Sequence, residues 1–529
     1  MRKHLTILLA LVMVLSTAAV PAYAAEEEKV LNLAAESDIL TMDVALTTDD
    51  YFIPHNVFDR LFEIKVQPDG STEIVPSLVA DYSVSDDGLT YDFTLVEGVT
   101  FSNGSPLTAS DVKYTFEHLL TVPKACNYDI AEEVVGARAL LDGEAEELEG
   151  IEVTGELTFT LTLAAPNAGY VAELTSPAMS IIDEETVESV EGFGMEPADT
   201  IGSGPYIVSE WVPNDHFTLT RNENYWGEAP DADVVIMNVV PDANTQNLMF
   251  QSGELDIIDL DALDASIIDS VYKTTYADSI VPGYRVGVTF MSMNENNEFL
   301  SDVNVRKAVQ MAIDRQGLLD NFYGGDGIIQ NGMIASGVWG HNEDMPAIEY
   351  DPEGAKALLA QAGYEDGDIS FEFSLNSSSG DTTAMVYQQI AQDLAAVGIN
   401  VEIKSYDESA WLDFRKTEEM PAFLGTWTMD YNDPANILGT FFSNSTSGRS
   451  LNYANQDIKD RVDAAPSIID DDERMAEYQA IDETIVAQDA AVVPLYERAH
   501  LFCIGENVES FLPHWAGFSN FFVRDVQMK

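Results

Sequence analysis

The segment from about Thr382 to Ile403 constrains the fold more than any other part of this chain. Val386, Ile390, Leu394 and Val397 keep the period of a helix face, Gly398 lacks the Cβ that resists chain reversal, and Ile399, Val401 and Ile403 alternate as a strand does. Helix, glycine and strand in immediate succession is the grammar of an α/β lobe. Two further helices are expected upstream. Asp302 is placed to cap one whose apolar side is Val305, Ala308, Val309 and Ala312. Asp351-Pro352 supplies the acceptor and first-turn proline of another, which stops at Gly363.

The earlier part of the chain has a different texture. Tyr91, Phe93 and Leu95 alternate with Asp92 and Thr94, and Leu157, Phe159, Leu161 and Leu163 alternate with threonines, the period of half-buried antiparallel strands. Between them Thr108, with Asp111 three residues on, forms a variant of the capping box for a helix burying Val112, Phe116, Leu119 and Leu120. The expected class is therefore mixed, α/β in one lobe and α+β in the other. At 529 residues the chain exceeds one ordinary core, and two or three lobes follow. No repeat or low-complexity tract interrupts it, and the acidic patch Glu144–Glu149 reads as a solvated loop.

Residues 1–24 stand apart. Arg2 and Lys3 precede the apolar run Leu5–Leu15, and Ala22-Tyr-Ala24 provides a small-x-small cleavage site, the organisation of a secretory signal too short to span a bilayer stably. No cysteine follows the apolar run, so a lipid anchor is not expected and the product should be exported, periplasmic or extracellular. A formal net charge of −66 disfavours nucleic acid and anionic lipid as partners. Cys126 and Cys503 are the only cysteines, and their pairing is left open.

Enzyme signatures are sparse. The seven histidines include no pair at the spacing of a zinc helix, and there is no Gly-x-Ser-x-Gly elbow and no phosphate-cradling loop. Asp259, Asp261 and Asp264 hint at a calcium loop, but the required glycine and distal glutamate are out of register. A secreted hydrolase using paired carboxylates is the alternative of another class, weakened because 91 acids make close pairs inevitable. No cofactor or metal is expected.

One stretch resists a purely structural account. In Gly425-Thr-Trp-Thr-Met-Asp-Tyr-Asn-Asp-Pro434 an apolar, aromatic run delivers Asp430 where burial is expected. A buried carboxylate needs a cation or several donors. With 25 Lys+Arg against 91 Asp+Glu, that cation is expected from outside the chain.

Four segments resemble the solute-binding proteins of ATP-driven importers, in the large class that takes peptides, nickel complexes and related solutes. Leu78–Leu95 with Gly98–Val112 is similar to the family's strand, turn and helix. Ile201-Gly-Ser-Gly-Pro-Tyr206, Arg221–Gly227 and Gly253–Ile257 follow, then Asp302–Val309 with Ala312–Arg315, then Tyr350-Asp-Pro352 with Ala360–Tyr364. The resemblance covers roughly residues 30–525. It implies a periplasmic-binding-protein-like fold of two lobes about a cleft with a third domain and a hinge. Lobe I would comprise residues 25–60, 198–278 and 490–529, the additional domain 61–197 and lobe II 279–489, with crossings near 278 and 490.

It also implies a function: capture of di- or oligopeptides between the lobes by a monomer that delivers them to the membrane permease subunits of an ABC importer. By resemblance Asp430 meets the ligand's α-ammonium, backbone groups of Thr426 and Thr428 bond to it as a strand does, and Trp427 walls a side-chain pocket. Arg415 is a candidate for the carboxyl end. Trp411 matches less cleanly, and Thr47, Thr48 and Asp49 would close over the ligand from the first lobe. The histidine of the oligopeptide binder has no counterpart in Leu375–Asp381. A nickel chelate or an oligosaccharide is the same-fold alternative, the latter on aromatic platforms at Trp411, Trp427 and Trp515.

Overall fold

The computed structural model describes residues 28–47, 51–67, 72–126, 128–261, 263–284, 286–515 and 521–529, without the side chain of Tyr284. The signal segment, Thr48 and Asp49 lie outside the described residues. Among the described residues no helix is long and apolar enough to cross a membrane.

Three sheets organise the chain. The first holds the strands Val30–Ala35, Val234–Val239, His216–Arg221 and Tyr206–Val212 in that order, parallel in its first pair and antiparallel thereafter. The second is antiparallel, in the order Val79–Val84, Thr90–Leu95, Thr158–Thr162 and Ile151–Gly155. Its inward residues Tyr91, Phe93, Phe159 and Leu161 form one core with Val112, Phe116 and Leu119 of the helix Ala109–Thr121. That helix starts on the capping box, with the Thr108 N–H donating to Asp111 Oδ2 at 2.8 Å.

The third sheet is mixed and runs Ile257–Asp259, Val492–Ile504, Gly287–Met293, Ala422–Thr428, Ile369–Asn376 and Ile399–Tyr406. Its last pair is parallel, connected through the helix Gly380–Ala396, and Gly398 takes φ +90° between helix and strand, a left-handed turn that a Cβ disfavours. The helix therefore begins two residues earlier than the apolar period alone indicates. Asp302 and Asp351 cap the helices Val303–Ala312 and Pro352–Ala362, accepting from the N–H groups of Asn304 and Gly354 at 2.8 Å each. Val305, Ala308, Val309, Ile390 and Leu394 pack with Phe371 and Phe373 under the sheet. Cys126 is exposed and Cys503 buried.

The strand Val492–Ile504 holds the third sheet together. It pairs antiparallel with Gly287–Met293 through residues 492–496 and with Ile280–Tyr284 through residues 499–503. Two segments thus cross side by side, with a register shift between Thr289 and Phe290.

The Ile201–Tyr206 motif has a steric reason. The Gly204 N–H donates to the Val57 carbonyl at 2.9 Å, and the Gly202 carbonyl accepts from the Ser102 N–H at 2.9 Å. A Cβ on Gly202 would stand 1.9 Å from the Val57 oxygen. Gly202→Ala is expected to lower the free energy of unfolding by about 1–3 kcal/mol or more, read as a lower urea midpoint. Gly439→Ala is the control: an added Cβ there, inside the helix Ala435–Phe442, meets nothing within 4 Å. It should leave the midpoint unchanged or raise it.

Candidate functional site

A cavity of about 640 Å³ opens where the two crossing segments meet. That is a volume in the range that holds small organic ligands. Its walls come from separate parts of the chain: Tyr51, His55 and Arg60; Thr175 and Pro177; Thr426 to Asp430; Tyr496 and Arg498 to His500; His514, Trp515 and Phe522.

The strand Ala422–Thr428 supplies one wall and explains how Asp430 is presented. On one edge it pairs with Gly287–Met293 in a register that sets Thr426 against Thr289 and Thr428 against Gly287. On the other edge it meets Ile369–Asn376 only at Ala422. Alternation along an antiparallel strand turns the backbone groups of Leu424, Thr426 and Thr428 towards that second edge. The Leu424 N–H there donates to the Tyr387 hydroxyl at 2.8 Å. Beyond it the edge runs along the cavity, with Ser379 and Thr383 on the far side of the opening.

Past Thr428 the chain leaves the sheet, and Asn436, on the helix Ala435–Phe442, organises the turn. Its side-chain oxygen accepts from Trp427 Nε1 at 2.7 Å and from the Asp430 N–H at 3.2 Å, and its Nδ2 donates to Asp430 Oδ2 at 3.0 Å. One buried amide therefore sets both the indole and the carboxylate. Trp427 is half-buried and stands edge-on to Phe441 at 5.3 Å.

Two expectations about Asp430 need correction. Its side chain is exposed rather than buried, because the strand ends at Thr428 and the following turn points the carboxylate into the opening. A cation of the chain also stands nearby. Arg449 lies over the rings of Trp427 and Phe441, 5.2 Å from each centroid. Burial holds its guanidinium below the usual range, and the Asp430 charge partly offsets this.

The other sequence candidates do not meet in the cavity. Trp411 is a core residue, 7% exposed, packed with Met420 and Phe423 and donating from Nε1 to the Ser374 carbonyl at 3.2 Å. Arg415, on the same helix Glu408–Lys416, lies over the Trp411 ring at 5.1 Å, and burial together with Arg449 lowers its pKa. Helical spacing of four residues keeps the two side chains against each other and away from the cavity wall. Thr47 is buried, with its hydroxyl donating to the Asp43 carbonyl at 3.1 Å. Trp515 lines the cavity, but only 4% of it is exposed, which leaves no aromatic platform.

The charged groups of the opposite wall fall into two kinds. Arg498 pairs with Asp261 and lies over the Tyr323 ring at 4.4 Å, and His500 Nε2 stands 2.6 Å from Asp259 Oδ2. Two of the three acids that hinted at calcium, Asp261 and Asp259, thus face Arg498 and His500, and among the described residues no group of three or more ligating side chains forms a metal site. His514, against His55 and Phe522, is held far below the usual imidazole range by burial and by the charges of Arg60 and Arg524. Arg60 went unnoticed in the sequence. Its signal was the one that marked Asp430: a charge inside an apolar run, here Phe58-Asp-Arg-Leu-Phe62.

The model of the bacterial extracellular solute-binding proteins, family 5 Middle, matches residues 73–449. The chain is 26% identical over 516 residues to the probable D,D-dipeptide-binding periplasmic protein DdpA of Escherichia coli (strain K12), covering 95% of each chain. Among solved structures it is similar to the periplasmic binding protein DppA of Helicobacter pylori in complex with peptide STSA. There the TM-score is 0.75 and the identity 26%, over 94% of this chain and 98% of that one. NikA of Brucella suis in complex with Fe(III)-EDTA shares the fold, with a TM-score of 0.81 at 22% identity over 95% and 100% of the two chains.

Asn436→Ala is expected to cost about 1–3 kcal/mol by stranding the Trp427 indole N–H and the Asp430 N–H. Thermal unfolding and the shift of tryptophan emission would record it. Asn436→Asp should cost more at neutral pH, because it removes the Nδ2 donor and sets a second carboxylate beside Asp430.

Proposed function

We propose that this chain, which belongs to the family 5 bacterial extracellular solute-binding proteins, captures peptides in the cavity and delivers them to the permease of an ABC importer. The observation that carries this reading is the strand edge at Thr426–Thr428 ending in an exposed carboxylate. A strand edge that runs along a cavity bonds to an extended peptide through main-chain groups, irrespective of its side chains. A carboxylate at the end of that edge is complementary to the one cation every free peptide carries, its α-ammonium. Asp430 takes that group, Thr426 and Thr428 align the backbone, and Trp427 walls the first side chain. Arg449 limits how negative the site becomes when empty.

The division into residues 25–60, 198–278 and 490–529, residues 61–197, and residues 279–489 supports the same reading. With it the cavity lies between lobe I, which carries Arg60, His500, His514 and Phe522, and lobe II, which carries Thr426 to Asp430. The crossing segments at Ile280–Met293 and Val492–Ile504 are then the hinge. A ligand that touches both lobes favours their closed arrangement by its differential affinity for it. Export by residues 1–24 and a monomeric state complete the proposal, and binding proceeds without covalent chemistry.

Asp430→Asn should weaken binding of a free peptide by about 1.5–3 kcal/mol in calorimetry while leaving the circular dichroism unchanged. N-acetylation of the peptide should cost the wild type a similar amount. Equal affinities for the free and acetylated peptides would refute the role of Asp430. Native mass spectrometry of freshly purified protein should show peptides of mixed sequence, and a single sugar or a metal chelate would displace the reading.

A further inference from the structure

Other arginines that this fold buries are held by carboxylates or by several carbonyls. Arg315 lies 6% exposed with no carboxylate bonded to it, and the carbonyls of Gln330, Pro494 and Ile348 with Asn331 Oδ1 take its donors. Arg306 donates to the carbonyls of Asp489, Ala490, Leu300 and Ser301, with Glu295 at 3.4 Å. Arg474 shares with Arg60 a buried Nε that has no acceptor among the described residues, but its charge is paired with Asp433 and Asp471.

Arg60 departs from this pattern. It is 2% exposed, and among the described residues only its Nη1 is bonded, to the Pro54 carbonyl at 3.2 Å and to Ser180 Oγ at 3.3 Å. Its Nε is buried without an acceptor. The two nearby acids are engaged elsewhere: Asp59 accepts from Ser203 Oγ at 3.0 Å and from Trp226 Nε1 at 2.8 Å, and Glu63 pairs with Arg524. Their charges act on Arg60 through space, yet burial and Arg524 still push its pKa down to about 10. A buried guanidinium with donors to spare is costly unless an acceptor arrives. Arg60 lines the cavity, so an acceptor can arrive from there.

We propose that Arg60 is the anchor for a carboxylate of the bound ligand, the free carboxyl end where the ligand is a peptide. This rests on the peptide reading and names the second charged end that it leaves open. A carboxylate suits the site better than a neutral acceptor because the planar guanidinium offers parallel N–H donors that two carboxylate oxygens match. The surroundings add to this. The Phe522 ring lies 5.6 Å under the guanidinium, and no carboxylate among the described residues is within ion-pair distance to compete. Arg415, the sequence candidate for this role, lies outside the cavity wall.

The test uses di-, tri- and tetra-alanine, each as the free acid and as the C-terminal amide, with the wild type, Arg60→Gln and Arg60→Lys. The wild type should prefer the free acid of the best-bound length by about ten- to a hundred-fold in Kd. Arg60→Gln should lose that preference while still distinguishing free from N-acetylated peptide, and Arg60→Lys, which keeps the charge, should retain part of it. If the wild type binds acid and amide equally, the ligand's carboxylate has no anchor and the proposal falls without any variant. If it discriminates and Arg60→Gln, folded by circular dichroism, discriminates equally, the anchor lies elsewhere while the peptide reading stands. If no peptide binds the wild type in any form, the peptide reading falls and the anchor with it.

Discussion

The third sheet and the cavity are arranged about the strand Val492–Ile504. It hydrogen-bonds to four others, Ile257–Asp259, Ile280–Tyr284, Gly287–Met293 and Gly327–Ile329. Its side chains enter separate cores: Val493 and Leu495 lie with Phe373 and Leu394, Phe502 with Leu31 and Phe521, and Cys503 with Tyr272. A fully paired strand cannot lengthen, so the cores at its two ends are held at a fixed spacing along it. The cavity sits at its middle, where Tyr496, Arg498 and His500 pass from one core to the next.

The charge balance makes the use of each cation informative. With 91 acids against 25 Lys and Arg, a guanidinium placed at random on this surface would find a carboxylate. Arg498, Arg524, Arg474 and Arg461 do find one. Arg60 and Arg449 have none at ion-pair distance among the described residues, and each stands over an aromatic ring beside the ligand cavity. Aromatic faces stabilise cations weakly and without claiming their N–H donors. Such placement keeps a charge available instead of neutralising it.

Much of the fold was legible because it rests on local signals. Capping by Thr108, Asp302 and Asp351, the positive φ at Gly398 and the alternation at Tyr91–Leu95 each involve residues within a few positions of one another. The site was legible only in part. Thr426 to Asp430 lie in one strand and its turn, and the sequence singles them out. The cations near the cavity are remote from that turn in sequence: Arg449 follows it by nineteen residues along the chain, and Arg60 belongs to a segment some 370 residues earlier. No periodicity links such positions, since packing of distant elements alone brings them to one cavity. Arg415 failed for the converse reason. Its distance in sequence from Asp430 fitted a pattern, but the i, i+4 stacking on Trp411 turned it to another face.

These features bear on why ligand and closure would be linked. An empty cavity leaves Asp430 facing water, at little cost, and leaves the buried Arg60 short of acceptors, at greater cost. A zwitterionic ligand reverses the balance at both ends, and most strongly where water is excluded, because charge-assisted bonds gain strength as the local dielectric falls. A neutral ligand of the same size would fill the volume and leave Arg60 as it was. On the proposed reading, binding that supplies the missing acceptor would stabilise a closed arrangement, where water is excluded, more than an open one. Such a difference in affinity is what a ligand needs in order to drive closure, and under the proposal it would tie closure to the charge of the solute as well as to its bulk.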